Sequence, residues 1–397
     1  MERTIGVTYA KGFTAAGVAC GIKKDGAMDL AIVACERVAN AAGVFTRNRV
    51  KGHSLLLAKR NVRNGRAQAV VINAGNANAC LGSRGDGDAR TMARLAAEKL
   101  GCGEKDVLTG STGVIGVPLP MDRIGAGLRK ALLSADGSAD AARAILTTDT
   151  VPKEAGACVS IGGHEVRIGG MAKGSGMIRP DMATMICVLT TDAAIRPKAL
   201  RRALKDAADA SFNRVSVDGD TSVCDKAVIL ASGCAGNAPI EEGTDGYARF
   251  AAALGDVCVR LARMLAADGE GATKLLTIEV RGARTRRDAR RIAGAIATSP
   301  LCKTAAFGND ANWGRLLTAA GYAKAMFDPA KVDVFIGGVQ VCENGVGLFF
   351  DEAAALGALK RDEVVYTLDL HDGDAEETMW TCDLSLDYVR INADYRT

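Results

Sequence analysis

The sequence predicts a mixed α/β protein of two or three domains. Three features point there: short apolar runs of strand length, longer segments with apolar residues at helical spacing between them, and a pair of strand-like runs facing each other across Gly162-Gly163. AVVIN at 69–73 is the first buried strand. Ala89, Met92, Leu95, Ala96 and Leu100 then mark a helix over 88–100, with Asp88 as its N-cap and Gly101 as its stop. Met121, Ile124, Leu128 and Leu132 mark a second helix. Residues 156–161 and 164–169 predict a hairpin. MICVLTT (185–191) predicts a buried strand, and Pro197 opens a helix carrying Leu200, Ala203, Leu204 and Ala207. KAVILAS (226–232) is another strand. The longest helix runs over 247–266, with Phe250, Leu254, Val257, Leu261 and Leu265 on one stripe. LLTIEV (275–280) precedes an arginine-rich run at 281–291, expected as a domain boundary with an exposed helix face. Two helices and several short strands fill the last hundred residues.

Composition narrows the function. At a prior of about 150 residues per domain, 397 residues give two or three domains with a core that needs no covalent staples. An apolar content of 48% and a charged content of 24% exclude disorder and fibres. A net charge of +4 and 4% aromatics give no support for a nucleic-acid surface. The 46 glycines imply tight turns and close backbone approaches. Three histidines leave little for a metal cage or a histidine-driven triad, and the twelve cysteines form no C-x-x-C pair. Their apolar neighbours suggest small core residues in a reducing compartment. With no leader-like start and no apolar stretch of spanning length, a cytoplasmic protein without membrane contact is expected.

Several segments can carry chemistry. In GGMAKGSGMIRPDMATM (169–185) a glycine-rich loop leads into a buried strand, with Thr184 at the junction behind Ala183. A threonine there suits self-cleavage: its hydroxyl attacks the preceding carbonyl, ester hydrolysis frees its amine, and that amine serves as base for its own hydroxyl, so no histidine is required. The same residue can simply begin a strand. TGSTGVIG (109–116) can present hydroxyl and N–H donors to an oxyanion, or be a turn, and its spacing is not that of a phosphate loop. VDGDTSVCD (217–225) lacks the calcium-loop pattern, so no metal is expected. Glu270, in DGEGATK, can bind an ammonium or sit exposed in a turn. Lys173 can hold a carboxylate or be merely solvated. The C-terminal YVRINADYRT, rich in strand formers, has the character of a docking segment.

The order of these segments says more than any one of them. KGFTAAGVACGIK, NAGNANAC, KGSGMIRPDMATM, SFNRVSVDGDTS, DGEGATK, KTAAFGNDANWGR and YVRINADYRT occur in sequence from the start of the chain to its end. The chain thereby resembles the ornithine acetyltransferase (ArgJ) family over nearly its whole length. The resemblance implies a cut between Ala183 and Thr184, giving an α chain (1–183) and a β chain (184–397) that assemble as an α2β2 heterotetramer. It implies that Thr184 takes acetyl from N2-acetylornithine and passes it to glutamate in a ping-pong transfer belonging to arginine biosynthesis. Thr112 and Gly113 are the implied oxyanion hole. Thr147, Lys173, Thr184, Glu270, Asn392 and Thr397 are the implied substrate contacts. No cofactor is implied. Acetyl-CoA is a possible second donor, and the reading adopted is that both donors serve.

The implied fold is an αββα layered sandwich over 1–280, shared with self-processing aminopeptidases, and a smaller C-terminal α/β domain over 281–397 whose tail returns to the site. Cys224, where the family often has Asn, and Arg179 depart from the pattern at positions outside the implied catalytic set, and Cys224 is read as a packing residue. Two other readings stand beside this one: an N-terminal-threonine amidase or aminopeptidase, and a non-enzymatic metabolite-binding protein.

Overall fold

A computed structural model describes residues 5–179 and 185–394, and the chain divides into two units. The first comprises residues up to 213 together with 220–261. The second comprises 214–219 and 262 onward. Both are mixed α/β, as the sequence predicts.

The first unit holds β1 (Phe13–Val18), β2 (Leu30–Phe45), β3 (Arg66–Asn76), β4 (Val107–Val114), β5 (Lys153–Ile161), β6 (His164–Lys173), β7 (Ile186–Thr191) and β8 (Lys226–Ala231). They form one sheet in the order β4-β3-β2-β8-β7-β6-β5, with β1 against β2. Among the described residues only the β3–β4 and β7–β8 pairs of this sheet are parallel. Side chains alternate across a strand, and β2 shows the consequence. Leu30, Ile32 and Ala34 pack with Met92 and Ala96 of α2 (Gly82–Leu100) and with Ile124 and Leu128 of α3 (Met121–Lys130). Ala31, Val33 and Cys35 join Val188 and Val228 on the opposite face. Burial on both faces explains why the central strands read as continuous apolar runs. Gly162 and Gly163, both at positive φ, make the turn of the β5–β6 hairpin.

The second unit builds its sheet from β9 (Leu275–Ala283), β10 (Asp333–Ile336), β11 (Val339–Glu343), β12 (Val346–Gly347), β13 (Glu363–Asp369) and β14 (Ala375–Cys382), in the order β12-β11-β10-β13-β9-β14. Ile292 and Ile296 of the helix Arg286–Ala297 and Leu316 of the helix Trp313–Gly321 close its core over Ile278, Val334 and Val364.

Several sequence expectations need correction. The second unit takes residues 214–219 and 262 onward rather than starting at 281, and β9 is an inner strand of its sheet. The arginine-rich run is therefore no boundary: it spans the end of β9 and the start of the helix Arg286–Ala297, where Arg286, Arg287 and Arg291 are exposed and Thr285 caps the N-terminus by accepting from the N–H of Asp288. Asp88 does not start α2. The helix begins at Gly82 and passes the His53 ring at Gly85, where a Cβ would overlap the imidazole. TGSTG is neither loop nor turn but most of β4. Leu132 lies beyond α3 and is exposed. Beyond residue 299 the described residues hold four α-helices instead of two helices: Pro300–Phe307, Trp313–Gly321, Glu352–Leu359 and Leu386–Asp394. The last of these takes most of the strand-forming C-terminal segment. Ala183, Thr184 and Thr397 lie outside the described residues.

Candidate functional site

In the first unit, strand pairing fixes what surrounds the junction at Met185. Lys173, the last residue of β6, faces Ile186 in the antiparallel register, and Lys226 faces the same residue from β8. The N–H of Lys226 also bonds the Met185 carbonyl at 3.0 Å. Lys173 and Asp225 therefore flank the residues that follow Thr184 in the chain.

Lys173 is buried, not solvated. Its ammonium donates to Thr147 Oγ1 at 2.7 Å and lies 3.4 Å from Asp149 Oδ2. Asp149 also accepts from Lys153 Nζ at 2.8 Å and from the backbone N–H groups of Gly174 (2.6 Å) and Thr147 (3.1 Å). Burial opposes ionisation of Asp149, but the two lysines and the Gly174 N–H hold its carboxyl well below the usual carboxylate range. Asp149 thus joins two ammoniums and two backbone donors.

Thr112 and Gly113 end β4, an edge strand of the sheet. The β3–β4 register shifts at Gly75 and Asn76, opposite Gly113. Gly113 has φ +122°, and a Cβ there would overlap the backbone of Gly75 and Asn76. An edge strand with a local irregularity leaves backbone donors outside the ladder. The KGFTAAGVACGIK segment folds against this point. Asp29 accepts from the N–H groups of Cys20, Ile22 and Lys23, and Ile22 packs on Gly75. Lys23 lies within electrostatic reach of both Asp149 and Lys173.

Asp225 is fully buried, and among the described residues neither of its carboxylate oxygens finds a well-formed hydrogen bond. Burial pushes its pKa well above the ordinary value; the Ser222 and Met185 backbones, Thr46 and Lys173 pull it partly back. Its neighbour Cys224 donates to the Ala77 carbonyl at 3.5 Å, and burial, with the Asp225 charge adding to it, pushes the thiol up to about 12. A thiol held that high is a packing residue, not a nucleophile. His53 pairs with Asp86 at 2.8 Å and accepts from the Leu81 N–H, and it serves the start of α2.

In the second unit, Glu270 is buried rather than exposed, and accepts from Asn392 Nδ2 at 2.8 Å. Its turn is built by glycine: a Cβ on Gly271 (φ +70°) would overlap the Tyr388 N–H, and the Gly271 carbonyl accepts from Ser385 at 2.5 Å. Asp383 takes the N–H groups of Thr273 and Lys274. Lys274 is structural, donating to the carbonyls of Ala306 and Leu359 and to Asn309 Oδ1. So is Lys303, which bonds the Val217 carbonyl and Thr381. Among the described residues no three His, Cys, Asp or Glu side chains gather as a metal site. Sequence reasoning missed Asp149, Lys153, Asp225 and Asp383. Asp149 sits inside TTDT, two residues past Thr147, and could have been found there as a carboxylate next to a predicted substrate contact.

A buried ion cluster at the end of β6, in a sheet whose edge strand β4 is built of small hydroxyl and glycine residues, is the arrangement of an enzyme with a small-molecule site. The protein belongs to the ArgJ family, whose model matches residues 14–397. It is 54% identical over 396 residues to the arginine biosynthesis bifunctional protein ArgJ of Symbiobacterium thermophilum, covering 99% of this chain and 98% of that protein. The protein of the same name from Geobacter sulfurreducens is 48% identical over 391 residues, covering 98% and 99%. The crystal structure of the arginine biosynthesis bifunctional protein ArgJ from Bacillus halodurans is 41% identical, with a TM-score of 0.51 over 52% of this chain and 97% of that one. No helix among the described residues is long and apolar enough to cross a membrane.

Proposed function

We propose that the protein is a glutamate N-acetyltransferase of arginine biosynthesis, moving acetyl from N2-acetylornithine to glutamate through an ester on Thr184, and that it also accepts acetyl-CoA. The observation that carries this is the Lys173–Asp149–Thr147 cluster, whose Lys173 is set by β-sheet register opposite Ile186, two residues past Thr184. The chain first cuts itself between Ala183 and Thr184. The matched chain of the Bacillus halodurans relative spans about half the length of this one, as a β chain of residues 184–397 would.

The freed Thr184 amine takes the proton of its own hydroxyl as the oxygen attacks the acetyl carbonyl of acetylornithine. Backbone N–H groups at Thr112 and Gly113 receive the oxyanion. As the tetrahedral intermediate collapses, the proton passes to the departing nitrogen and ornithine leaves. Glutamate then enters, its amine attacks the ester carbonyl, and N-acetylglutamate departs as Thr184 recovers its proton. Lys173 with Thr147 binds the substrate carboxylate. Glu270, oriented by Asn392, binds an ammonium, and Thr397 closes the substrate contacts. The chemistry needs no cofactor. The working form is a cytoplasmic α2β2 heterotetramer.

Acetyl exchange between labelled ornithine and glutamate, measured for the wild type and Thr184→Ala, tests the reading. Exchange and chain cleavage should both vanish in the variant. Rapid hydrolysis of acetylornithine without glutamate would instead favour an amidase, and glutamate-dependent release of CoA from acetyl-CoA decides the second donor.

A further inference from the structure

We propose that Ser111, Ser54, Asn73 and Asn78 are positioning residues for the oxyanion site: they form one directed chain of buried hydrogen bonds that fixes the end of β4, and with it the N–H groups of Thr112 and Gly113. The proposal rests on the functional reading above, in which those N–H groups receive the oxyanion. Its motivation is where the ladder fails. β4 is an edge strand paired to β3. Their register shifts between Gly75 and Asn76, opposite Thr112, Gly113 and Val114. Regular pairing is thus interrupted where donors need the closest placement, and side chains take over there.

Thr109 and Ser111 lie two residues apart on β4 and so share a face, opposite that of the Thr112 side chain. Ser54, in the first turn of the helix His53–Asn61, grips both. Its carbonyl accepts from Thr109 Oγ1 at 2.8 Å, and its hydroxyl meets that of Ser111 at 2.7 Å. The direction of the chain follows from its end. Asn73 Nδ2 donates to the Asn76 carbonyl at 2.9 Å, so Asn73 Oδ1 faces Ser111 and accepts from its hydroxyl at 2.6 Å. A hydroxyl has one proton. Ser54 must therefore donate to Ser111, and it accepts in turn from Asn78 Nδ2 at 3.1 Å. The chain begins and ends in NAGNANAC (73–80), a motif the transfer chemistry itself does not use. Asn78 sits there at φ +48°, and its N–H donates to Asn76 Oδ1 at 3.2 Å. None of the four side chains belongs to a residue more than 3% exposed. Away from water, such a chain is rigid when complete and loosens when one link is lost.

Oxyanion donors meet charge that develops only in the transition state, so displacing them lowers kcat and leaves KM. Steady-state acetyl exchange by Ser111→Ala, Asn73→Ala and Asn61→Ala, each rate divided by the amount of chain beginning at Thr184, tests this. Asn61 is the control. It is buried and also holds β4, but at the far end, where its Nδ2 donates to the Val107 carbonyl at 3.0 Å. We expect S111A and N73A to lower kcat about tenfold or more, with KM for acetylornithine and glutamate within about threefold of the wild type. N61A should lower Tm yet keep both constants within about threefold.

A smaller loss of kcat in S111A or N73A, or a rise in KM in its place, overturns the proposal. So does a loss in N61A as large as theirs, which marks a general loosening of β4. If S111A fails to fold or to cut itself, the proposal also falls, because the missing oxygen then serves the fold or maturation. If N73A alone gives no cut protein, S111A decides. A wild type without acetyl exchange counts against the functional reading; an active wild type with unaltered variants counts against this proposal alone.

Discussion

Replacing Lys226 with methionine removes a charge that the fold holds at a cost. Lys226 opens β8 and is fully buried, and its ammonium has one hydrogen-bond acceptor in the described structure, the Thr109 carbonyl. Burial pushes its pKa from the usual 10.5 down to about 7. Between those values the unfolded chain binds a proton that the folded chain has released, so stability rises with pH across the window. One pH unit corresponds to about 1.4 kcal/mol. Raising the pH from 6 to 9 therefore relieves roughly 3 kcal/mol of the penalty. Methionine has a similar volume and does not titrate. The stability difference between Lys226→Met and the wild type should narrow by that amount, or by roughly 6–12 °C in Tm at about 2–4 °C per kcal/mol. Asp225 acts with the opposite sign, since its raised pKa makes stability fall with pH, but it is present in both proteins and cancels. Thermal scans of both proteins at pH 6, 7, 8 and 9 measure the difference. A Tm gap constant to within about 2 °C refutes a lysine held neutral by burial.

Other substitutions probe the site and its frame. Gly113→Ala forces a Cβ into the backbone of Gly75 and Asn76; it should cost more than about 2 kcal/mol and reduce acetyl transfer by at least ~10²-fold, read by thermal melting and exchange assays. Glu270→Gln keeps an acceptor for Asn392 but removes the charge. KM for acetylornithine should rise about tenfold while Tm stays within about 2 °C, as direct kinetics and melting will show. Lys274→Met strands the buried acceptors of Ala306, Asn309 and Leu359 and should destabilise the second unit by about 3 kcal/mol, seen as a lower denaturation midpoint.

Much of the fold was legible in the chain because its signals are local. Pro197 fixed a helix start, Gly162-Gly163 a hairpin turn, and the apolar stripe through Phe250 and Leu261 the longest helix. What stayed hidden depends on distant partners. β4 is polar and glycine-rich, so it lacks the apolar pattern of a strand; pairing with β3 makes it one. Glu270 looks solvent-exposed in a glycine turn, yet Asn392, 122 residues away, helps to bury it. Asp149 is an ordinary acidic residue until Lys153 and Lys173 close around it. The ordered motifs carried function further than periodicity did, although two of them, DGEGATK and KTAAFGNDANWGR, contribute lysines that hold the fold rather than the substrate.

Mass analysis of the purified protein, before and after brief exposure to acetylornithine, decides whether Thr184 is freed by cleavage and carries the acetyl group. Two chains ending and beginning at Ala183 and Thr184, with an acetyl group appearing on the Thr184 chain and leaving when glutamate is added, are the predicted result. An intact chain of 397 residues, or a cut chain that never carries acetyl on Thr184, contradicts the account.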